Sequence, residues 1–430
     1  MTELAGRLPL LAIPYGGLSL PLMTSAQAAA GLCSILWLVD GTDPVVRDDW
    51  RALHRFGQVV DLAGIPPDRW ADAVAPSRPD GIVTFSDHQM VDLAHLAANL
   101  GLPFHRPEVA RLLTDKAAQR EAQRHSGLAV PGSAIVPAGL ADDAVEAVAG
   151  AVSFPAVLKP IYGTDSRTTM RVEAAVELLD ALRSLFGADR PDMLIEEYLP
   201  DSAPCLGEGF ANYLSVESVV SDGNIEHFAV TGRFPLAPPF RETGFFIPAD
   251  LTPQQHTAAL DVGTAAVRAA GVETGCVHTE IKFTPAGPRV IEVNGRLGGG
   301  VPLMLEMATG ASAPRLAMEV ALGRPADYAA LLRRDGIGFR LLFHAPITAR
   351  KVRAVDGLER VARLPGVRSA TLHREPGTAI DWRTGTNDYV YSVLGVARDY
   401  DQLRDTARVT EATVRARFEH APSSIGAVLD

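Results

Sequence analysis

The sequence has few cysteines, and those it has lie far apart. Cys33, Cys205 and Cys276 form no CxxC pair in a chain of 430 residues. Neither a disulfide framework nor a cysteine zinc site is therefore indicated. This cysteine usage is typical of a reducing compartment, and we expect a cytoplasmic protein.

Long apolar runs and long basic runs are also missing. No apolar run approaches the roughly 20 residues of a membrane-spanning helix, so we expect no membrane attachment. The apolar segment 8–17 is interrupted by proline and glycine, which predicts a first strand and not a signal peptide. The net charge is −11, and we expect no nucleic-acid partner. The absence of a P-loop motif and of GxGxxG argues against a P-loop or dinucleotide-binding fold.

What the chain does contain is an alternation of short apolar runs and helical stretches over residues 8–105. Such alternation is typical of a small parallel α/β domain. Beyond it, the patterns predict long helices over residues 106–127, 303–322 and 400–418, and a hairpin turned at residues 221–223. The sequence after Gly336 is rich in strand-forming residues and predicts a separate α+β cap at the C-terminal end.

The stretch 277–300, VHTEIKFTPAGPRVIEVNGRLGGG, predicts two short strands joined by a turn rich in proline and glycine. With the turn centred on Ala286, Glu280 and Glu292 lie directly opposite each other, and Asn294 shares the face of Glu292. Like charges placed opposite on a sheet repel, so the arrangement makes sense when a divalent cation lies between them. Mg²⁺ commonly binds one or two carboxylates together with phosphate oxygens.

The alternative for this stretch is an exposed hairpin whose glutamates pair with Lys282 and Arg289. Arg296 stands just ahead of three glycines, 298–300, and glycines leave backbone N–H groups free to hold an anion. His278 shares the face of Glu280, so it orients a substrate, supports the metal or simply packs.

Two lysines precede this hairpin in the chain. Lys116 lies in the helical stretch 106–127, where a solvated charge is the simple alternative. Lys159 ends an apolar strand, where its ammonium must meet an anion, a carbonyl or water. The polar loop that follows, 162–167, suits phosphate, although turns of this composition are often only turns. A later strand, DMLIEEYLP, ends with Glu196 and Glu197.

Taken in order, these features resemble the ATP-grasp fold: a lysine on a helix, a lysine before a small-residue loop, EEYL at a strand end, and E…EVNGR. Within that fold, the chain most resembles the ATP-dependent carboxylate–amine ligases, including the L-amino acid ligases that make dipeptides. The resemblance implies a multidomain α/β and α+β architecture with an ATP-grasp core. We expect an N-terminal parallel α/β domain, a small lobe, a large lobe with the metal site and a C-terminal α+β domain, over residues 1–115, 116–200, 201–330 and 331–430.

The resemblance also implies a role for each candidate residue. Contacts to ATP are implied for Lys116, Lys159, Ser166, Glu196, Glu197, Tyr198 and Leu199. In this set Glu196 accepts from the adenine amino group, and 197–199 supply backbone contacts. The metal, Mg²⁺ or Mn²⁺, is held by Glu280, Glu292 and Asn294. Arg296 faces the reacting carboxyl, and we expect substrate contacts from His278, Gly298, Gly299 and Gly300.

Two positions depart from the family's pattern. The family often has a glutamate for the ribose, where this chain has Asn212 and Tyr213. The phosphate loop is also poorer in glycine than usual, so that it is stiffer or contacts phosphate through side-chain hydroxyls.

The implied reaction is an ADP-forming ligation. ATP converts a carboxylate, that of an amino acid, to an acyl phosphate, and an amine then displaces phosphate. The expected partners are therefore a small-molecule acid and a small-molecule amine, bound by a homodimer. A C-terminal resemblance to biotin carboxylases leaves a second hypothesis open, in which bicarbonate is the activated acid of a biotin carboxylase-like or purine-type carboxylation. A third is a regulatory protein that binds nucleotide without turnover.

Overall fold

The computed structural model describes residues 7–17, 20–186, 190–202, 207 and 209–421. The helices are α1 (Leu22–Ala29), α2 (Pro44–Phe56), α3 (Trp70–Val74), α4 (Met90–Leu100), α5 (Pro107–Thr114), α6 (Lys116–His125), α7 (Asp142–Ala149), α8 (Leu178–Phe186), α9 (Pro253–Ala270), α10 (Val301–Thr309), α11 (Ala313–Ala321), α12 (Ala329–Leu332), α13 (Leu358–Val361) and α14 (Tyr400–Thr413). The strands are β1 (Leu10–Tyr15), β2 (Ser34–Val39), β3 (Gly57–Asp61), β4 (Gly81–Ile82), β5 (Ser133–Val136), β6 (Ala156–Pro160), β7 (Met170–Val172), β8 (Met193–Glu197), β9 (Tyr213–Ser221), β10 (Asn224–Arg233), β11 (Gly244–Ile247), β12 (Gly275–Thr284), β13 (Gly287–Asn294), β14 (Ile337–His344), β15 (Ala349–Asp356), β16 (Val367–Leu372), β17 (Tyr389–Ala397) and β18 (Arg415–His420).

The N-terminal strands form a parallel sheet in the order β3-β2-β1-β4. Leu11 and Trp37 belong to a core that includes residues of α1 and α2, whereas Leu10 and Leu36 belong to one that includes residues of α3 and α4. Because helices cover both faces, the strands are apolar on both. The predicted parallel α/β unit is therefore confirmed. Its carboxyl-end loops, the usual ligand-binding edge of such a sheet, line the cavity described below.

A second sheet has the order β5-β8-β6-β7 with antiparallel neighbours. One face carries apolar residues such as Leu158 and Ile195, which pack in one core with residues of α7 and α8. Lys159 and Glu196 lie at positions of the opposite face, by strand alternation. They are diagonal neighbours, since Lys159 pairs with Leu194 and Glu196 with Val157.

The largest sheet has the order β13-β12-β9-β10-β11-β14-β17-β16, with antiparallel neighbours throughout. The predicted hairpin of β9 and β10 is confirmed, with positive φ at Asp222 and Gly223 in its turn. β14 pairs directly with β11, so C-terminal strands continue the central sheet and are not separate from it. β15 and β18 form a ribbon of their own. The four domain boundaries stay a prediction.

Three predicted helices end or break earlier than the patterns indicated. The stretch 106–127 is divided at Asp115, whose extended backbone ends α5 and whose side chain accepts from Ala118 N at the start of α6. The stretch 303–322 is divided after Gly310, which ends α10 with a φ of 71°. The prediction of a helix through Phe418 is wrong, because β18 pairs with β15 and tertiary pairing overrides local propensity.

None of the helices in the described part of the chain combines the length and the apolar character needed to span a membrane. Cys33 and Cys276 are buried free thiols. Cys205, the third cysteine, lies outside the described residues.

Helix α6 joins the second sheet to the largest one through Arg120, which is only 1% exposed. Its guanidinium donates to Glu196 on β8 at 2.9 and 3.3 Å, and to the carbonyl of Ile291 on β13 at 2.6 Å. Gln119, its neighbour, donates to the carbonyl of Val293 and accepts from its N–H, both at 2.9 Å. Since β13 is an edge strand, these bonds satisfy backbone groups that an open edge would leave unpaired.

We predict that Arg120→Met lowers the free energy of unfolding by about 3 kcal/mol, because it removes one partner of a buried ion pair. Arg124→Met, one turn along the same helix, is the matched control. Its side chain is 50% exposed and paired with Glu121, so we expect a loss below about 1 kcal/mol. Urea denaturation of both variants measures the difference, and equal losses would contradict the role given to Arg120.

Candidate active site

One cavity of about 1520 Å³ lies between the three sheets. Its size exceeds the roughly 300–1,000 Å³ of a pocket for one small ligand, so two substrates can be accommodated together. Every residue that the sequence proposed for the site lines it: Lys116, Lys159, Ser166, Glu196, Glu197, Tyr198, Leu199, His278, Glu280, Glu292, Asn294, Arg296, Gly298, Gly299 and Gly300. The fold therefore brings together all of the candidate positions, and their individual roles remain predictions.

The hairpin of β12 and β13 places Glu280 directly opposite Glu292, as the sequence predicted. The turn itself is shifted by half a residue from the expected centre, because Thr284 pairs with Gly287. A β-bulge inserts Ile291 as an extra residue on β13 and restores the expected opposition. The like-charge pair is thus built into the register of the sheet.

Lys116 supplies a counter-charge to this pair, with its Nζ 3.1 Å from Glu292 Oε1. The same ammonium donates to the carbonyl of Gly163 in the predicted phosphate loop at 2.6 Å. Lys116 is buried and is not the solvated charge of the simple alternative. The exposed-hairpin alternative also fails, since Lys282 pairs with Asp201 and not with a glutamate of the hairpin.

His278 supplies the second counter-charge, because it lies between two carboxylates. Its Nδ1 is 2.9 Å from Glu217 Oε2, and its Nε2 is 3.4 Å from Glu280 Oε1. Burial by itself lowers the pKa of His278, but the charge of Glu217 and hydrogen bonds to Glu217 and Glu280 raise it to about 9. Burial raises the pKa of Glu280, and the hydrogen bond and charge of His278 outweigh that effect and lower it. These contacts suit support of the proposed metal ligand Glu280, and the expected substrate contact of His278, which lines the cavity, stays a prediction.

The donor set at the hairpin fits a hard cation. Glu280, Glu292 and Asn294 offer carboxylate and amide oxygens within one cavity, and these are the donors that Mg²⁺ prefers. Among the residues that the structure describes, no group of three or more His, Cys, Asp or Glu side chains could hold a metal ion by itself. A cation here would therefore need ligand oxygens from a bound phosphate, as Mg²⁺ at nucleotide sites does.

Lys159 and Glu196 contact each other in the floor of the cavity. Arg120 binds the same carboxylate, so that both Glu196 oxygens accept from cations. Burial raises the pKa of Glu196, but the charges of Arg120 and Lys159 outweigh it and lower the pKa to about 2. Burial lowers the pKa of Lys159. The expected partner of Glu196 was an adenine amino group; in this structure its partners are cations, and the adenine contact stays a prediction.

The segment after Glu196 was expected to supply backbone contacts to adenine. The N–H groups of Glu197 and Tyr198 already donate to the carbonyls of Gly132 and Pro155, each at 2.9 Å. These two N–H groups are thus already paired, and backbone contacts from 197–199 to adenine stay a prediction. The ring of Tyr198 lies 4.3 Å from the guanidinium carbon of Arg171, which fixes its orientation at the cavity wall.

The predicted phosphate loop is strained, with positive φ at Asp165 and Ser166, and at Thr168 directly after the loop. For residues other than glycine this conformation is uncommon and persists only where the surroundings impose it. The surroundings here belong to the C-terminal region, because Thr386 N donates to Asp165 O and Asn387 Nδ2 to Asp165 Oδ2, both at 2.8 Å. The loop is thus poor in glycine, and hydrogen bonds from the C-terminal region hold it in this conformation.

Arg296 lies in the cavity, and its Nε donates to Asp87 Oδ2 at 2.8 Å. Asp87 follows β4 in the N-terminal sheet and was missed by the sequence reasoning. Its position after a buried strand at the carboxyl edge of a parallel sheet was the available signal. The other Asp87 oxygen is buried without a hydrogen-bond partner in the described residues.

Three further charged residues near the site were missed: Arg233 and Glu242, which line the cavity, and Glu217, which contacts His278. Glu217 is fully buried and accepts from Ser215 and Thr231. Its signal was the one charged residue of a strand rich in apolar residues. Arg233 donates from Nε to Glu242 Oε1 at 3.0 Å. Burial raises the pKa of Glu242, with the charge of Glu280 adding to it and that of Arg233 opposing it.

The ribose position has Asn212 and Tyr213 where the family often has a glutamate, and both side chains contact neighbouring protein groups. The Asn212 side chain donates to the carbonyl of Ser202 at 2.9 Å, and the Tyr213 hydroxyl to Glu242 at 3.3 Å. Ribose recognition is therefore left without an assigned residue.

The glycine loop 298–300 lies beside His278 and Arg340, and its three glycines differ in what surrounds them. A Cβ at Gly298 would collide with His278 Nδ1, whereas Gly299 has nothing within 4 Å. Gly300 has a φ of +78°, and its Cβ would lie 3.3 Å from Arg340 Nη1. A bulky residue at Gly300 would therefore strain the backbone as well as fill the pocket.

We predict that Gly298→Ala displaces His278 and lowers the ADP formation implied by the resemblance roughly 5- to 150-fold, since overpacking of this kind costs roughly 1–3 kcal/mol. Gly299→Ala is the matched control, because it adds the same methyl group where nothing is near, and we expect a much smaller loss. Initial rates and melting temperatures of both variants test this. Equal losses would mean that the contact with His278 is unimportant.

A second prediction concerns the C-terminal contact of the phosphate loop. Gly385 has a φ of 77°, and a Cβ there would collide with Asp165 O. Gly385→Ala should displace the loop and raise the KM for ATP roughly tenfold, because contacts worth on the order of 1–2 kcal/mol are lost. Gly377→Ala carries the same kind of backbone strain, with a φ of +96°, but has nothing within 4 Å. A KM unchanged in the first variant, or raised equally in both, would contradict the coupling.

Comparisons with known proteins agree with this geometry. A family model of the ATP-grasp domain matches residues 152–303, and a model of the L-amino acid ligase C-terminal domain 2 matches residues 346–419. The solved structure of an L-amino acid ligase from Bacillus licheniformis has a TM-score of 0.76 to this chain at 21% identity, covering 97% of this chain and 100% of that one. Together these matches show the ATP-grasp fold.

Two curated relatives share sequence with part of the chain. The uncharacterized protein y4rH of Sinorhizobium fredii is 29% identical over 325 residues, which are 74% of this chain and 64% of that protein. Carnosine synthase 1 of Gallus gallus is 31% identical over 242 residues, which are 52% of this chain and 25% of that protein. The chain thus spans less than two thirds of the length of either relative.

Proposed function

We propose that this protein, an ATP-grasp chain with an L-amino acid ligase C-terminal domain, is an ATP-dependent, ADP-forming ligase that joins a carboxylate, that of an amino acid, to an amine. The observation that carries the proposal is the convergence of all the candidate residues on one cavity around the opposed Glu280 and Glu292. The relatives add support, since one of them is Carnosine synthase 1.

The chemistry has two steps. A carboxylate is a poor electrophile, so its oxygen first attacks the γ-phosphorus of ATP, and ADP leaves. The amine nitrogen then attacks the acyl carbon of the acyl phosphate, the bond from that carbon to the phosphate oxygen breaks, and phosphate leaves. The amine loses a proton on the way to the neutral amide.

The residues of the cavity would position and neutralise the charges of these steps. Lys116 and Lys159 would bind the phosphates, exchanging part of their contact with Glu292 and Glu196 for phosphate oxygens. Mg²⁺, held by the hairpin carboxylates and Asn294, would offset charge on the transferring phosphoryl group. Arg296, fixed by Asp87, would stabilise the oxyanion that forms when the amine attacks.

Glu242 is our candidate for the proton acceptor of the second step. It lines the cavity, and burial together with the charge of Glu280 raises its pKa. A carboxylate with a raised pKa is a better base, so it can take the proton that an ammonium group must lose before its nitrogen attacks. Sequence patterns alone pointed to no general base.

The carboxylation hypothesis is the weaker one, because the C-terminal family match is to an L-amino acid ligase domain. A cytoplasmic location stays a proposal, supported by the buried free thiols of Cys33 and Cys276. A homodimer likewise stays a prediction.

The test is to measure ADP release with pairs of amino acids, each pair compared with either member alone. We expect ADP formation that requires both an acid and an amine. ADP release driven by bicarbonate without an amine would support carboxylation, and the absence of turnover beside tight ATP binding would support a regulatory protein.

We further predict that Glu292→Gln reduces ADP formation by about 100-fold or more, because it removes one of the two negative charges offered to the divalent cation and several kcal/mol of charge stabilisation are lost. The fold should remain intact, and calorimetry should show ATP binding that no longer depends on Mg²⁺. Glu273→Gln is the control, since this glutamate is exposed and pairs with Arg106. Near-normal turnover of Glu292→Gln at ordinary Mg²⁺ would refute the metal site.

A further inference from the structure

The central sheet does not by itself determine where Arg296 lies. Strand β13 ends at Asn294, whose partner on β12 is His278, and the chain leaves the sheet before it reaches Arg296. Residues of the N-terminal region hold this arginine instead. Asp87 does so at the guanidinium, with its Oδ2 2.8 Å from Arg296 Nε. His105, from the same region, does so at the backbone.

His105 lies between α4 and α5 and is only 5% exposed. Its Nε2 lies 2.9 Å from the carbonyl oxygen of Gly295. Because a carbonyl oxygen can only accept, Nε2 carries the proton and donates. Burial lowers the pKa of His105, and the hydrogen bond to Gly295 and the charge of Asp87 oppose that effect. The Gly295 carbonyl belongs to the planar peptide group that joins Gly295 to Arg296, so this hydrogen bond orients the backbone from which Arg296 projects.

Two glycines make room for the imidazole ring. A Cβ at Gly295 would lie 2.7 Å from both His105 Nε2 and Leu113 Cδ1. A Cβ at Gly275 would lie 3.2 Å from His105 Cε1, and the φ of +110° at this position also favours glycine. The ring of Phe104 packs against the imidazole, with the two ring centres 5.2 Å apart. The imidazole is therefore closely confined, and its hydrogen bond to Gly295 has one direction.

A second, small cavity of about 30 Å³ lies beside His105 and Arg296, which line it together with Thr84 and Cys276. Arg296 also lines the large cavity, so the small one adjoins the proposed active site. His105 Nδ1 is buried and has no hydrogen-bond partner among the described residues. Since Nε2 carries the proton, Nδ1 is an acceptor, and the volume is sufficient for one water molecule that donates to it. Such a bond would favour the tautomer in which Nε2–H donates to Gly295.

We propose that His105 is a positioning residue for Arg296, acting through the peptide group between Gly295 and Arg296, and that a buried water bound at its Nδ1 maintains the required tautomer. The inference rests on the proposed ligase function, in which Arg296 faces the reacting carboxyl and stabilises the oxyanion. His105 lines the small cavity and is not among the described residues that line the large one, so it acts without touching the substrates. Asp87 and His105 thus fix the two ends of one residue.

Two variants of His105 separate its hydrogen bond from its packing. His105→Gln places an amide N–H where the imidazole has Nε2–H, whereas His105→Met is of similar length and has no donor. Measured with the amino-acid pair that gives the fastest ADP release, His105→Met should lower kcat/KM for the acid roughly 3- to 10-fold, the effect of one lost hydrogen bond, with the KM for ATP unchanged. His105→Gln should retain most of the wild-type value. Equal losses in both variants, or no loss in either, would overturn the inference.

A double-mutant cycle tests whether the effect passes through Arg296. Arg296→Gln removes the group that His105 is proposed to position. Adding His105→Met to Arg296→Gln should therefore cause little further loss of kcat/KM for the acid. Two changes with independent roles would instead multiply their losses. Multiplied losses would show that His105 acts elsewhere.

His227→Met is the matched control for the loss of a packed histidine. His227 lies on β10 and lines neither of the two cavities, and its two ring nitrogens lie 2.8 Å from Ser218 Oγ and Thr264 Oγ1. We expect a lower melting temperature, as for His105→Met, with kcat/KM for the acid and the KM for ATP at their wild-type values. A loss of kcat/KM as large as that of His105→Met would identify lowered stability as the cause in both variants, and the positioning role would fall.

The tautomer is measured separately by ¹⁵N NMR of protein with labelled histidine, in which the signals of His105 are those that disappear in His105→Gln. We expect a neutral ring protonated at Nε2 at neutral pH. A ring protonated at Nδ1, or at both nitrogens, would overturn the inference while leaving the ligase function in place. No ADP release by the wild type with any acid and amine would overturn the ligase function itself, and the inference with it.

Discussion

The opposition of Glu280 and Glu292 across one hairpin is the constraint on which the rest of the site depends. Two carboxylates at directly paired positions repel, and neither can be buried without a counter-charge. The fold supplies these charges from two directions. His278, anchored by the fully buried Glu217, stands beside Glu280, and Lys116 reaches Glu292 from the first turn of α6. The hairpin therefore requires both the neighbouring strand β9 and a helix from an earlier part of the chain.

Helix α6 meets this requirement because it contacts strand β13, strand β8 and the phosphate loop, whose relative positions define the site. Gln119 satisfies the backbone of the edge strand β13, and Arg120 ties that strand to β8. Lys116 at the same end of the helix contacts the phosphate loop. A shift of α6 would thus disturb the proposed metal ligands, the floor of the cavity and the loop together. Buried polar networks of this kind favour one arrangement when every member is satisfied.

The charges of the cavity are largely neutralised within the protein. Lys159 binds Glu196 and Arg296 binds Asp87. Each of these cations proposed for catalysis therefore has a compensating negative charge in a partly desolvated site. A bound nucleotide would exchange partners with groups already in position, which costs less reorganisation than assembling them.

Sequence patterns alone determined the local parts of this protein. The parallel unit at the N-terminus, the hairpin with its opposed glutamates and the lysine at the end of β6 all follow from residue periods and turn residues within a short window. The tertiary structure alone decided which distant groups meet: Asp87 with Arg296, 209 residues apart, and Gly385 with the phosphate loop. It also ended the last helix at Thr413, since β18 pairs with β15. Local periodicity determines which face of a strand or helix a residue occupies. Which residue it contacts on that face depends on how the sheets pack, and a short window of sequence does not contain that information.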